Sequence, residues 1–194
     1  MPTLAVILGR VSTEDSDRVL ETIEALDPSV SGEECQIVIA DRLQDAVTQI
    51  IRRTYPHVQL IACPPETSLP ELRTLAFEAS TAPIVAVTED HCVPAPGWGR
   101  LITNAFQLGG DDLVAVGGSV VNGVTDTGLD WATFLCEYAF FSPPIVQGPI
   151  DVLPGMNVAY RRSALERLPR HLLTNGFWET TVHPVLLQAG HRFL

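Results

Sequence analysis

The stretch Ser68–His91, SLPELRTLAFEASTAPIVAVTEDH, reads as a helix, a short break and a buried strand in direct succession. Ser68 and Glu71 stand three positions apart, the spacing at which a hydroxyl and a carboxylate cap a helix start reciprocally. Leu72, Leu75, Ala76 and Ala79 then share one face of that helix as a core stripe. After Pro83 the run Ile84–Val87 is wholly apolar and mostly β-branched, the pattern of a strand covered on both sides. A helix feeding such a strand is one unit of a parallel α/β sheet. The strand ends in three ionisable groups, Glu89, Asp90 and His91, followed by the proline-punctuated loop CVPAPGW.

The same alternation fills the first half of the chain. LAVIL (Leu4–Leu8) is a strand, and SDRVLETIEAL a helix with Ser16 at its N-cap and Val19, Leu20, Ile23 and Leu26 on one face. CQIVIAD is a second strand, DAVTQIIRRTY a helix stopped before Pro56, and VQLIAC a third strand. The expected fold is α/β, a Rossmann-like, mostly parallel sheet sandwiched by helices. Ligands of such sheets bind at the carboxyl ends of the strands, where Asp41 and the Glu89–His91 group stand.

The second half is more mixed. GWGRLITNAF is a helix closed by Gly109 and Gly110, DLVAVGGSVV a strand, and LDWATFLCEYAFF an aromatic-rich helix whose Trp131, Phe134, Tyr138, Phe140 and Phe141 are expected in the core. PIDVLPGMNVAYRRSALERL predicts strand, glycine turn, strand and helix. NGFWETTVHPVLLQAGHRFL predicts a helix closed by Gly190, then the start of another strand.

The chain has 194 residues, 46% hydrophobic and 18% charged, as in a globular protein. A formal charge of −11 disfavours nucleic-acid polymers and anionic membrane surfaces, and makes a small anionic ligand depend on a local cation. Cys35, Cys63, Cys92 and Cys136 form no CxxC pair, so reduced thiols and a cytoplasmic setting are expected. No signal peptide opens the chain and no apolar run approaches the roughly 18 residues of a membrane span. GxGxxG after the first strand and GxxxxGK[ST] anywhere are absent, which weakens the dinucleotide and P-loop readings.

Two readings of Glu89-Asp90-His91 stand side by side: ordinary solvated charges at a strand exit, or a metal site. In an extended segment Glu89 and His91 point to one side and Asp90 to the other. A carboxylate with an imidazole suits Mn²⁺ better than Mg²⁺, which prefers oxygen shells. Cys92 beside His91 invites a zinc reading, but no second Cys/His pair accompanies it.

STAPIVAVTEDHCVPAPGW, taken with LPGMNVAYRRSAL and GFWETTVHPVLLQAGHRF, resembles the family 2 glycosyltransferases of the GT-A fold. The resemblance runs in order from LAVIL to GHRF. It implies a single GT-A-like domain over 1–194, with a nucleotide-binding half (1–110) and a smaller acceptor and catalytic half (111–194), and the abrupt end suggests C-terminal truncation. The implied activity is inverting transfer of a sugar from a nucleotide-diphosphate donor, UDP-sugar by expectation, to a glycan, lipid-linked or small-molecule hydroxyl. A divalent cation, Mn²⁺ before Mg²⁺, would assist.

By that resemblance Glu89, Asp90 and His91 stand at the metal-binding acidic motif. His91 would be a direct ligand, and Glu89 would act through the ribose or a water, unless Asp90 is the key carboxylate. Asp41 matches the residue that reads the nucleobase, and Arg73 a helix position facing the diphosphate; a turn cap and a solvent-facing arginine are the plain alternatives. Glu179 matches the general base, with Trp178 as its apolar wall, and Gly155 and Asn157 line the acceptor side. His171 and His183 are read as structural or solvent-facing. A non-catalytic nucleotide-sugar-binding module of the same fold is the alternative, and a nucleotidyltransferase a weaker one. The setting implied is cytoplasmic, with peripheral contact at the inner face of a membrane allowed.

Overall fold

The computed structural model describes residues 2–14 and 16–194. The apolar runs become β1 (Leu4–Arg10), β2 (Cys35–Asp41), β3 (Gln59–Ala62), β4 (Ile84–Val87), β5 (Leu113–Gly117), β6 (Val158–Arg161) and β7 (Arg192–Phe193). Among the described residues they form one sheet of order β3-β2-β1-β4-β6-β5-β7. β1 pairs in parallel with β2 and β4, and β2 with β3. β6 runs antiparallel between β4 and β5, and β7 is parallel to β5. The fold is the expected α/β one, with its mixed region in the second half.

Chain order reverses between β1 and β4, so a crevice opens beyond their carboxyl ends. Arg10 closes β1 directly opposite Asp41 of β2, and Glu89 follows β4 by two residues.

Apolar side chains cover both faces of the sheet. α1 (Arg18–Leu26), α3 (Ala46–Thr54) and α5 (Trp98–Leu108) pack on one, burying Ile23, Ile51, Ile102 and Phe106 with Val6, Leu8 and Ile39. α4 (Leu69–Ala79), α8 (Arg170–Gly176) and α9 (Glu179–Gln188) cover the other, with Leu72, Phe77, Leu173, Val182 and Leu186 against Ile7 and Val85. Short helices α2 (Pro28–Ser31) and α7 (Arg162–Leu165) complete the turns. The Ser68–Glu71 capping box forms as the spacing predicts.

Three expectations need correction. α1 starts at Arg18 with Asp17, not Ser16, at its N-cap; the Leu20 amide donates to the carbonyl of Asp17, and that of Ser16 accepts from Arg10. Residues 149–154 form no strand; Ile150 donates to the carbonyl of Phe193, and the carbonyl of Pro154 accepts from the Asn157 amide to close the Gly155 turn. The aromatic helix α6 (Gly128–Tyr138), with a 3₁₀ turn at Ala139–Phe141, does not lie in the core. It buries Phe134 alone, while Trp131 is 45% and Phe140 70% exposed. α6 covers loops at the crevice rather than a sheet face, so aromatic content there does not signal depth. Among the described residues no helix is long and apolar enough to cross a membrane.

Candidate functional site

The site begins where β4 stops. The amide of Cys92 donates to the carbonyl of Glu89 (3.1 Å), so residues 89–92 close a tight turn instead of continuing extended. Glu89 and His91 do meet, with His91 Nε2 3.5 Å from Glu89 Oε2, but the turn brings them together, and it also swings Cys92 to the same side. Each of these three offers a ligand atom, and all lie within 4.8 Å of one another.

Asp90 points the other way. Its carboxylate accepts from the amides of Val11 and Ser12 (2.8 and 2.9 Å) and from Ser12 Oγ (2.6 Å), pinning the loop after β1 to the turn after β4. Burial alone would raise its pKa, but bonds from His91, Ser12 and Val11 outweigh that and hold it at about 2. Asp90 therefore stands behind the Glu89–His91–Cys92 group, 3.4 Å from His91 Nδ1. The Asp90 bond, with the charge of Glu89, also raises the His91 pKa.

Arg73 of α4 is not solvent-facing; it is 1% exposed and reaches across the sheet end. Its guanidinium donates to Glu89 Oε1 (3.0 Å) and to the carbonyl of Phe177 (3.0 Å), and lies 4.6 Å from the ring centre of Trp178. Burial lowers its pKa, and Glu89 and Glu179 oppose that shift. Its Nε is buried without a partner. Residues 73, 89 and 177–179, far apart in sequence, thus meet around one buried cation. Trp178 serves here as a face for Arg73.

Glu179 opens α9 and is half-buried. Its carboxylate occupies the space that a Cβ on Gly155 would fill, so the glycine permits the close approach. Two residues on, Asn157 donates to the carbonyl of Ser119 (3.0 Å) and accepts from Trp98 Nε1 (2.8 Å). The PGW and GMN motifs are joined by that bond. Beside them lies a cleft of about 770 Å³, walled by His91, Cys92, Trp98, Phe134, Tyr138 and Asn157 among others. Glu179 is not in that wall; it borders the cleft across Gly155 and Met156.

Asp41 takes the turn-cap alternative. It is 1% exposed and fully engaged: Thr48 Oγ1 donates at 2.5 Å, the amides of Leu43 and Gln44 at 2.9 and 3.3 Å, and Arg10 Nη1 approaches both oxygens at 3.4 Å. Arg10, wholly buried, also grips Asp45 with both terminal nitrogens (2.9 and 2.8 Å). Both Asp41 oxygens thus accept bonds from within the chain. The final arginine of LAVILGR stands opposite the final aspartate of CQIVIAD, a pairing that neither strand shows by itself. Equal strand lengths in parallel register bring the two together.

Arg161 and Arg162, the arginines of AYRRSAL, fix β6 in place: Arg161 donates to the carbonyls of Phe106 in α5 and Leu113 at the start of β5, and Arg162 to those of Phe77 in α4 and Ala82 beyond it. His183 is buried and bonded to Tyr160 Oη (2.8 Å), a structural place, while His171 is exposed to solvent. Among the described residues all four cysteines are free.

A carboxylate oxygen, an imidazole nitrogen and a thiol around one point form a donor set that fits a divalent cation. The model of glycosyl transferase family 2 matches residues 12–169, which include the 89–92 turn, Arg73 and the Gly155–Asn157 turn. The chain belongs to that family.

Solved structures of GT-A glycosyltransferases share the fold of this family 2 chain. A mannosyltransferase from Pyrobaculum calidifontis, in complex with GDP-Man and Mn²⁺, aligns over 100% of this chain and 54% of its own, at 16% identity and TM-score 0.64. S. aureus TarS (1–349), in complex with UDP-GlcNAc, aligns over 90% of this chain and 52% of its own, at 14% identity and TM-score 0.56. Glucosyl-3-phosphoglycerate synthase from Mycobacterium tuberculosis, with phosphoglyceric acid, aligns over 87% of this chain and 60% of its own, at 15% identity and TM-score 0.56. The family 2 chain spans little more than half the length of these proteins. No curated protein sequence matches it.

Proposed function

We propose that this chain transfers a sugar from a nucleotide-diphosphate donor to a hydroxyl acceptor, with inversion at the anomeric carbon. The observation that carries the reading is the gathering of Glu89, Phe177 and Trp178 around buried Arg73, at the carboxyl end of β4, with Glu179 next in the chain and set against Gly155. Glu179 accepts the acceptor's hydroxyl proton. The freed oxygen bonds to the anomeric carbon from the face opposite the diphosphate, and the carbon–oxygen bond to phosphate breaks with its electron pair leaving on the nucleoside diphosphate. Gly155 clears the space in which the Glu179 carboxylate sits.

Arg73 orients Glu89 and sets a positive charge against the chain's −11 background. Glu89 and His91 would hold a divalent cation, Mn²⁺ before Mg²⁺ given the imidazole. Once bound, it would supply electrostatic stabilisation of the diphosphate. The acceptor, a glycan, a lipid-linked sugar or a small molecule, enters by the cleft beside Trp98 and Asn157, with its reacting hydroxyl carried past Gly155 and Met156 to Glu179. The uridine expectation rests on a free Asp41; with that carboxylate engaged by Arg10 and Thr48, the donor is better written as a nucleotide-diphosphate sugar, base open.

The test is slow donor hydrolysis, followed by chromatography with UDP- and GDP-sugars, in the wild type and in Glu179→Gln. Release of nucleoside diphosphate that falls about 10²–10⁴-fold in the variant supports the general base. Release no faster than without protein in both, with nucleotide still bound, supports the non-catalytic binding module instead, and faster release that is equal in both overturns Glu179 as the base.

A further inference from the structure

We propose that Cys92 is the third protein ligand of the cation site, and that the site consequently takes a thiophilic divalent ion, Zn²⁺ or Co²⁺, in preference to Mg²⁺. The inference rests on the Glu89–His91 reading above and adds a residue and a metal class to it. The turn at 89–92 supplies the geometry. Its Cys92 N–H to Glu89 carbonyl bond returns the fourth residue alongside the first, and Thr22 Oγ1 holds the carbonyl of Cys92 at 3.1 Å. Sγ, a Glu89 oxygen and a His91 nitrogen then lie within 4.8 Å of one another. Zinc bonds of about 2.0–2.3 Å join ligand atoms roughly 3.3–3.8 Å apart, a spacing that small side-chain rotations reach.

The surroundings orient each donor. Arg73 occupies Glu89 Oε1, which leaves Oε2 turned to His91. Asp90 faces His91 Nδ1 at 3.4 Å, and is itself fixed by the Val11 and Ser12 amides. A proton on Nδ1 directed at Asp90 leaves the Nε2 lone pair for the cation, the carboxylate–histidine–metal arrangement that fixes ring and tautomer. His91 and Cys92 both line the cleft, so the fourth position opens towards water or a ligand oxygen. As Sγ bonds to the ion its proton passes to solvent. Oxygen-seeking Mg²⁺ gains little from a sulfur ligand, whereas Zn²⁺ and Co²⁺ gain much.

The experiment is titration of the full chain with Co²⁺, followed by absorption, with no nucleotide present. The expected result is a sulfur-to-cobalt charge-transfer band that saturates at one ion per chain. It should vanish in Cys92→Ser and persist in Cys136→Ser, with far-UV circular dichroism unchanged in both. Competition against a chromophoric chelator should show Zn²⁺ bound at least tenfold more weakly by Cys92→Ser. If that variant fails to fold, alkylation of the wild type read by mass spectrometry takes its place: Zn²⁺ but not Mg²⁺ should shield Cys92. A wild type without the band, a band that survives in Cys92→Ser, or Cys92 alkylated equally with either ion overturns the proposal. Nucleotide binding supported by Mg²⁺ alone in the same preparation would leave the transferase reading standing, so the two failures are separable.

Discussion

Two buried arginines stand at the carboxyl end of the sheet, each with a partnerless Nε, and they are satisfied very differently. Arg10 sits between β1 and β2 and spends its terminal nitrogens on Asp41, Asp45, Thr48 and the carbonyl of Ser16. The net effect is a raised Arg10 pKa, despite the burial that opposes it, and an Asp45 held at about 2 chiefly by that bond. Arg73 has one carboxylate oxygen, one carbonyl and the face of a ring, and burial lowers its pKa. Beyond it Glu89 keeps an oxygen for His91, and Glu179 stays half-exposed. A cluster with many partners holds the framework; one with few has capacity left for a ligand.

The contrast can be broken most strongly at the framework end. Arg10→Met strands two carboxylates, one of them wholly buried, and should cost about 3–5 kcal/mol of folding stability by denaturant titration. Arg73→Met leaves the more exposed Glu89 and the carbonyl of Phe177 without their donor and should cost about 1–2 kcal/mol; equal losses in the two variants would erase the distinction.

Acid should act next, through a group in neither cluster. Burial holds His183 at about 4, below its ordinary 6.5, so the folded state favours the neutral ring bonded to Tyr160. Its contribution is whole above pH 6.5 and is lost as pH falls towards 4, roughly 3 kcal/mol in all. Thermal unfolding of wild type and His183→Gln across that range checks it: the wild type should lose the larger share of its stability. Smallest is Gly155→Ala, which displaces the Glu179 carboxylate. It should lower donor turnover about tenfold while nucleotide affinity, by calorimetry, changes less than twofold.

Much of the fold was legible because apolar runs, caps and glycine closures are local signals. β1 to β4, the Ser68–Glu71 box and the Gly190 closure of α9 all follow from spacing alone. α6 was misjudged because aromatic residues write the same pattern on a core helix and on one roofing a crevice. The site was half legible. Glu89 and His91 fall together, and Arg73 turns out buried beside them, yet Cys92 joins through a turn that an extended reading excludes. Asp41 kept its place in the fold and lost its expected freedom, since its partner Arg10 sits thirty-one residues away.

The central claim is that the Arg73 cluster is the one built to receive a nucleotide diphosphate. Calorimetric titration of UDP and of GDP into the wild type, Arg73→Met and Glu179→Gln, with and without divalent cation, tests it most directly. Cation-dependent binding of one nucleotide, weakened at least tenfold in Arg73→Met and retained in Glu179→Gln, is the predicted result. Binding that ignores both the cation and Arg73, or no binding of either nucleotide to the wild type, would contradict it.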